Sequence, residues 1–208
     1  MTCERDYVLR MIGMFGDMMR RLGELMDERE RLHFLEKACR EQCVMTLGAA
    51  ETLDAAAAAA LLPPATLWAA GEIVYLHYAC AELDEREKRR LALQALRLLS
   101  VQGTEPGVAE ARAGRMEALL EVCREELCAQ DELNCGRFFA ACERFCAAED
   151  MLFLAVEDGG TERACYAAQG LGVLTKMAAL PRETLILGGL PYEEVTQAID
   201  DIRRIGGL

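Results

Sequence analysis

Three groups of residues in this chain are spaced as metal-binding or reactive groups can be. Cys142 and Cys146 stand four residues apart, as do Cys39 and Cys43. On a helix that spacing puts both sulfurs on one face, where they could ligate zinc or form a redox couple. Glu30-Arg31-Leu32-His33 has the Glu-x-x-His spacing of di-iron carboxylate bundles. A Ser-His-Asp arrangement would need Ser100, and Gly170-Leu171-Gly172 could open a phosphate loop. Each lacks its context. Both cysteine pairs follow an apolar helical phase rather than the loop knuckle of a zinc site, so they read as buried thiols packing as small hydrophobes. A di-iron site needs a second Glu-x-x-His, and Val74 stands three residues before His77. Ser100 has no nucleophile elbow around it. The glycine pair has neither the preceding strand nor the third glycine. No catalytic, cofactor-binding or metal-binding residue is therefore expected, and the protein is expected not to be an enzyme.

Composition narrows the field further. The net charge is −12 over 208 residues and apolar residues make up 52%. A chain of this length buries roughly 70% of its unfolded surface and needs no disulfide or metal to fold. A nucleic-acid binder should carry a basic stripe that releases counterions from phosphates, and this chain shows none. Anionic membrane surfaces are disfavoured for the same reason. The longest apolar run, Ala55 to Ala65, is too short to span a bilayer and contains Pro63 and Pro64. The opening MTCERDYVLR has no signal-peptide apolar region. The 10 cysteines form no secreted-scaffold pattern, which points to a reducing cytoplasm.

The elements that must position any site are helices. Apolar residues recur at three, four and seven, and helix formers dominate. The first helix is predicted from about Glu4 to Met26. Val8, Phe15 and Leu22 repeat by sevens, as do Met11, Met18 and Leu25, giving a methionine-rich stripe. Further helices are predicted over Glu28–Met45 and Ala49–Leu62, the last stopped by Pro63 and Pro64. Helix pairs follow: Ala65–Cys80, then Asp84 with Glu87 as a capping box for a helix to about Val101, then Thr104-Glu105-Pro106 opening one to Cys128. Gly159 and Gly160 end the next stretch, and Thr161 can cap a helix to Ala178. Pro181 opens a short helix that Gly188 and Gly189 break, and Pro191 starts the last. Two regions result, an N-terminal helical region over 1–62 and a helical-hairpin array over 63–208.

The stretch 133–159, LNCGRFFAACERFCAAEDMLFLAVEDG, is the most patterned. From Gly136, Phe139 lies three residues on and Ala148 twelve on, with Leu152 and Ala155 following. This order resembles the tetratricopeptide (TPR) repeat, whose small residues mark where two helices touch and whose aromatic fills the gap beside them. Glu132 and Cys135 replace its Trp and Leu, and Gly160 its Pro. The pair with Trp68, Gly71 and Tyr75 leading to Ala92, Leu96 and Leu99 echoes the same motif at longer spacing. A single hairpin cannot bury its apolar face, so stacked neighbours are expected.

The segments DYVLRMIGMFGDMMRRL, FAACERFCAAEDMLFLAVE and LILGGLPYEEVTQAIDDI together resemble a family of uncharacterised bacterial helical proteins. That family opens with an Asp-Tyr-aliphatic-x-Arg-hydrophobic-Ile motif, here Asp6, Tyr7, Val8, Arg10 and Ile12, and carries a TPR-like hairpin near its C-terminal end. The resemblance implies the all-α fold and leaves function open.

The expected fold is thus an all-α, TPR-like or α-solenoid-like array, and the expected function a non-enzymatic, cytoplasmic protein–protein interaction module. Its partner would be a protein or peptide, with no nucleic acid, membrane or cofactor. By position in the motif, Leu133, Arg137, Ala140 and Ala141 would face the concave side, with Arg137 against a partner carboxylate. A second expectation is a structural homodimer joined through Val8, Met11, Phe15, Met18, Leu22 and Leu25, a stripe that could instead pack on the following helices. A third is a small-molecule or metal sensor using His33 and nearby acids.

Overall fold

The computed structural model describes residues 2–100 and 109–208, and the side chains within those ranges except at 2–9, 11, 12, 109 and 111. The described residues are all-α: they form twelve α-helices and two 3-10 turns, with no strand. The expected helix start at Thr104-Glu105-Pro106 lies outside them. The chain divides into two compact units, Met1–Glu125 and Glu126–Leu208. That division differs from the expected one after residue 62, because the helix following Pro63 packs on the helices before it.

The first unit holds α1 (Thr2–Glu24), α2 (Glu28–Cys43), α3 (Leu47–Ala50), α4 (Ala55–Leu61), α5 (Pro64–Cys80), α6 (Glu85–Ser100) and α7 (Ala109–Cys123). α5 is its centre. Its sequence, PATLWAAGEIVYLHYAC, has a single carboxylate, Glu72, and Leu67, Ile73, Val74 and Leu76 are fully or almost fully buried. A helix apolar on all sides must be covered on all sides, and α1, α2, α3, α4 and α6 pack around it. Pro64 occupies its first turn, where a missing N–H costs nothing. Gly71 lets α6 approach: a β-carbon there would stand 2.9 Å from Leu99 Cδ2.

Local chemistry sets the ends. Asp27 Oδ1 accepts from Arg29 N at 2.7 Å and starts α2, and Asp84 Oδ1 accepts from Glu87 N at 2.8 Å ahead of α6. The Glu87 carboxylate turns to Arg90 instead of completing the expected box. The single helix expected over Ala49–Leu62 is two, because Asp54 leaves the helical path and caps α4 by accepting from Ala57 N at 2.9 Å. Thr161 lies in a 3-10 turn, Gly160–Glu162, and Glu162 holds the cap position of the next helix.

The second unit holds α8 (Ala129–Ala141), α9 (Phe145–Glu157), α10 (Arg163–Ala178), α11 (Arg182–Leu187) and α12 (Tyr192–Gly206). α8 and α9 form an antiparallel hairpin whose turn is carried by Glu143 at φ 59°. At its crossing a β-carbon on Gly136 would stand 2.8 Å from Leu152 Cδ2 and 3.2 Å from the Ala148 carbonyl oxygen. Gly136, Ala148 and Leu152, three of the residues marked by the sequence, therefore do meet. α10 packs on both α8 and α9, and α12 packs on α10 and α9. Gly170 faces Ile202 Cδ1 of α12 at 3.6 Å from its would-be β-carbon, and it follows Gly136 by thirty-four residues. The core runs through Leu133, Phe145, Leu152, Leu174, Leu185, Val195 and Ile202.

Candidate interaction surface

α8 keeps two faces apart. Leu133, Cys135, Phe138 and Phe139 are buried, while Gln130, Arg137 and Ala141 are exposed and Asn134 is half-buried. Positions 130, 134, 137 and 141 recur at helical spacing and form one stripe. Along it Gln130 Nε2 donates to Asn134 Oδ1 at 3.0 Å. Arg137 Nη2 donates across to Gln169 Oε1 of α10 at 2.7 Å, and Gln169 Nε2 donates to the Cys165 sulfur at 3.5 Å. The result is a polar track over two helices, with amides on either side of a guanidinium and a small residue, Ala141, at one end. Such groups can hydrogen-bond a peptide backbone and pair with a carboxylate.

Of the residues expected to face a partner, Arg137 and Ala141 lie on this track and Ala140 is half-buried against the core. Leu133 does not face a groove. It is fully buried in a core that includes Ala167 and Leu174 of α10, because α10 covers the side of α8 that a lone hairpin would leave open. The sequence reading does not single out Gln130, Asn134 or Gln169. A signal that points to Gln169 is the thirty-four-residue step from Gly136 to Gly170, the residue after it.

The expected seam on α1 is largely spent inside the first unit. Phe15, Met18 and Leu22 are buried, and the Phe15 ring lies 5.8 Å from that of Trp68. These residues form core, since α5 offers α1 an apolar face. Leu25 is half-buried. The side chains of Val8 and Met11 lie outside the described residues.

The cysteine pairs part company. Cys39 and Cys43 are both buried on α2, where the hydrogen bond with Cys39 and burial push the Cys43 thiol far up. Cys142 and Cys146 do not share a helix. Cys142 caps the end of α8, and Cys146 is exposed in the first turn of α9, so the expected burial fails where a turn falls between them. Cys128 and Cys165 are exposed as well. Glu30 and His33 are exposed on α2, and among the described residues no three His, Cys, Asp or Glu side chains converge as metal ligands.

His77 is a satisfied buried histidine. Its Nδ1 lies 2.6 Å from Glu51 Oε1, while Arg90 donates to Glu51 Oε2 and to the Glu51 carbonyl, each at 3.1 Å. Gln94 Nε2 donates to the carbonyls of Ala50 at 2.9 Å and Leu53 at 2.8 Å. These bonds fasten the α3–α4 connection to α5 and α6, supplying partners to backbone groups that no helix satisfies.

In the second unit, burial and the carboxylates of Asp150, Glu194 and Asp201 raise the Glu149 carboxyl above its ordinary range. The native state thus holds this proton more tightly than the unfolded chain. Its contribution to stability is present at low pH and is lost as pH rises from the ordinary glutamate range through the raised value. Glu149→Gln should raise the apparent Tm at pH 7, and the difference from wild type should vanish below about pH 4. Thermal unfolding across that range checks this, and a pH-independent difference would contradict it.

No family model, curated protein or solved structure matches the chain. Its class, an all-α array of helical hairpins, follows from the fold. No helix among the described residues is long and apolar enough to cross a membrane.

Proposed function

We propose that this protein is a non-enzymatic, cytoplasmic interaction module that binds an extended segment of a protein partner across α8 and α10. The observation that carries the reading is the surface guanidinium of Arg137, bridged to Gln169 on the neighbouring helix and flanked by amides. A side chain held from both helices is pre-oriented, so little rotamer freedom is lost on binding. The thirty-four-residue step between Gly136 and Gly170 supports a TPR-like relation between the two hairpins. In arrays of that kind first helices line the binding face. The same proposal takes in kinship with the bacterial helical family suggested by the opening Asp-Tyr motif. The nine described cysteines, none of them in a disulfide, suit a reducing compartment.

Affinity capture from native lysate tests the reading, with wild-type protein and Arg137→Glu compared side by side. Loss of a stoichiometric partner by the variant, with its circular dichroism unchanged, is the expected result. Equal recovery by both proteins would remove Arg137 from the binding face.

A further inference from the structure

α1 carries a cationic patch on an acidic protein. Phe15 and Leu22 turn to the core, while Arg10, Asp17, Arg20 and Arg21 are exposed. Beside α2 this face opens into a groove of about 680 Å³. Met14, Met18 and Phe34 supply its apolar lining, and Arg10, Arg20 and Arg21 line it with them. Asp17 is the one carboxylate among the described residues of the groove. In a chain of net charge −12 the sign is reversed here. Arg10, Met14, Asp17 and Arg21 are spaced by four, three and four residues, so the groove follows α1 for about three turns, roughly 16 Å.

Length and charge both constrain what can lie in it. A groove of this length accepts the apolar face of another helix, whose anchors recur at three, four and seven residues. Methionine suits such a seat because its unbranched side chain adapts to an irregular guest. The rim selects the sign. Arg20 donates through Nη2 to Asp17 at 2.8 Å, and Arg21 through Nη1 to Glu24 at 3.1 Å. Both pairs are exposed, and such pairs are weak and readily exchanged. A guanidinium also carries five N–H donors, so each of these arginines can take a second carboxylate. An anionic bilayer would meet the whole molecule and its net charge of −12, whereas a single helix meets the groove alone.

We propose that this groove binds an acidic amphipathic helix of a protein partner. The apolar stripe of that helix lies on Met14, Met18 and Phe34, and its flanking carboxylates meet Arg10, Arg20 and Arg21. The groove belongs to the first unit alone and is a different surface from the polar track on α8 and α10. The chain's net negative charge disfavours the same helix elsewhere on the molecule, so attraction at the groove and repulsion outside it act together to fix the site.

Fluorescence anisotropy with the full-length protein and two labelled peptides tests this. Both peptides are helices stapled on the far face, with leucines at three- and four-residue spacing. Glutamates flank the leucines in one, and glutamines in the other. Wild type should bind the glutamate peptide about tenfold more tightly, as a few rim pairs together supply. Arg20→Gln combined with Arg21→Gln, both on exposed side chains, should lose most of that preference. Met14→Glu should lose both peptides, and if it unfolds the arginine variant carries the test. No binding of the glutamate peptide, equal affinity of wild type for the two peptides, or an undiminished preference in the arginine variant would each overturn the proposal. So would phosphatidylglycerol vesicles that displace the glutamate peptide, since the groove would then belong to a lipid surface.

Discussion

Arg115→Met should destabilise the first unit by about 3–5 kcal/mol, the range for stripping the partner from a buried charge. The Glu72 side chain is 1% exposed, within a helix that carries no other carboxylate. Trp68 Nε1 donates to its Oε1 at 3.0 Å, and Arg115 donates to its other oxygen. The arginine also stands over the Tyr75 ring, 5.4 Å from its centroid, and Arg112 stands 5.8 Å from that of Trp68. Without Arg115 the carboxylate keeps only the indole donor in apolar surroundings. The reverse deletion should cost less. After Glu72→Leu the Arg115 side chain, 26% exposed, can turn to water. The double variant should regain most of the loss, because a buried pair replaced by apolar groups of similar volume is often neutral. Urea unfolding followed by the fluorescence of the sole tryptophan, Trp68, measures all three. Losses that simply add would show that Glu72 and Arg115 do not act as a pair.

Gly136→Leu should cost the second unit about 1–3 kcal/mol by overpacking. Even a β-carbon there comes within 2.8 Å of Leu152, and the facing Ala148 carbonyl at 3.2 Å belongs to backbone that cannot turn aside. Gly172→Leu is the control. It sits in α10 with nothing within 4 Å of the added carbon, so removing a helix-interior glycine should be neutral or stabilising by up to about 1 kcal/mol. Chemical unfolding of both variants, followed by circular dichroism, separates crowding at a crossing from the general effect of adding a side chain to a helix. Equal effects would mean that Gly136 is not a contact point.

The helices and their crossings were legible because their causes are local. Apolar recurrence gave α1 and α2, Asp84 announced the start of α6 that it caps, and Pro63 and Pro64 marked the end of α4. The spacing from Gly136 to Ala148 and Leu152 named a contact between two helices before any coordinates. Asp54 was harder, because a carboxylate just ahead of a run of alanines reads equally as an exposed helical residue or as a cap. Partnerships across long separations leave no such trace. Glu51 meets His77 and Arg90, and Glu72 meets Arg115, at separations of 26 to 43 residues, and no periodicity joins them. The candidate surface was half legible for the same reason. Arg137 follows from its place in the motif. The burial of Leu133 and the bond to Gln169 depend on where α10 lies, which one hairpin cannot specify.

The distribution of cysteines gives the molecule intrinsic reporters of local opening. Cys128, Cys146 and Cys165 are exposed and all lie in the second unit. Cys39, Cys43 and Cys123 are buried in the first, and Cys135 in the second. A thiol reagent meets the exposed set at once and reaches the buried set only when the surrounding helices part. The rate at which each buried sulfur is modified is therefore a clock for the opening of its own unit. With Cys135 counting for one unit and Cys123 for the other, a single mass spectrum taken over time tells whether the two halves of the chain breathe together or apart.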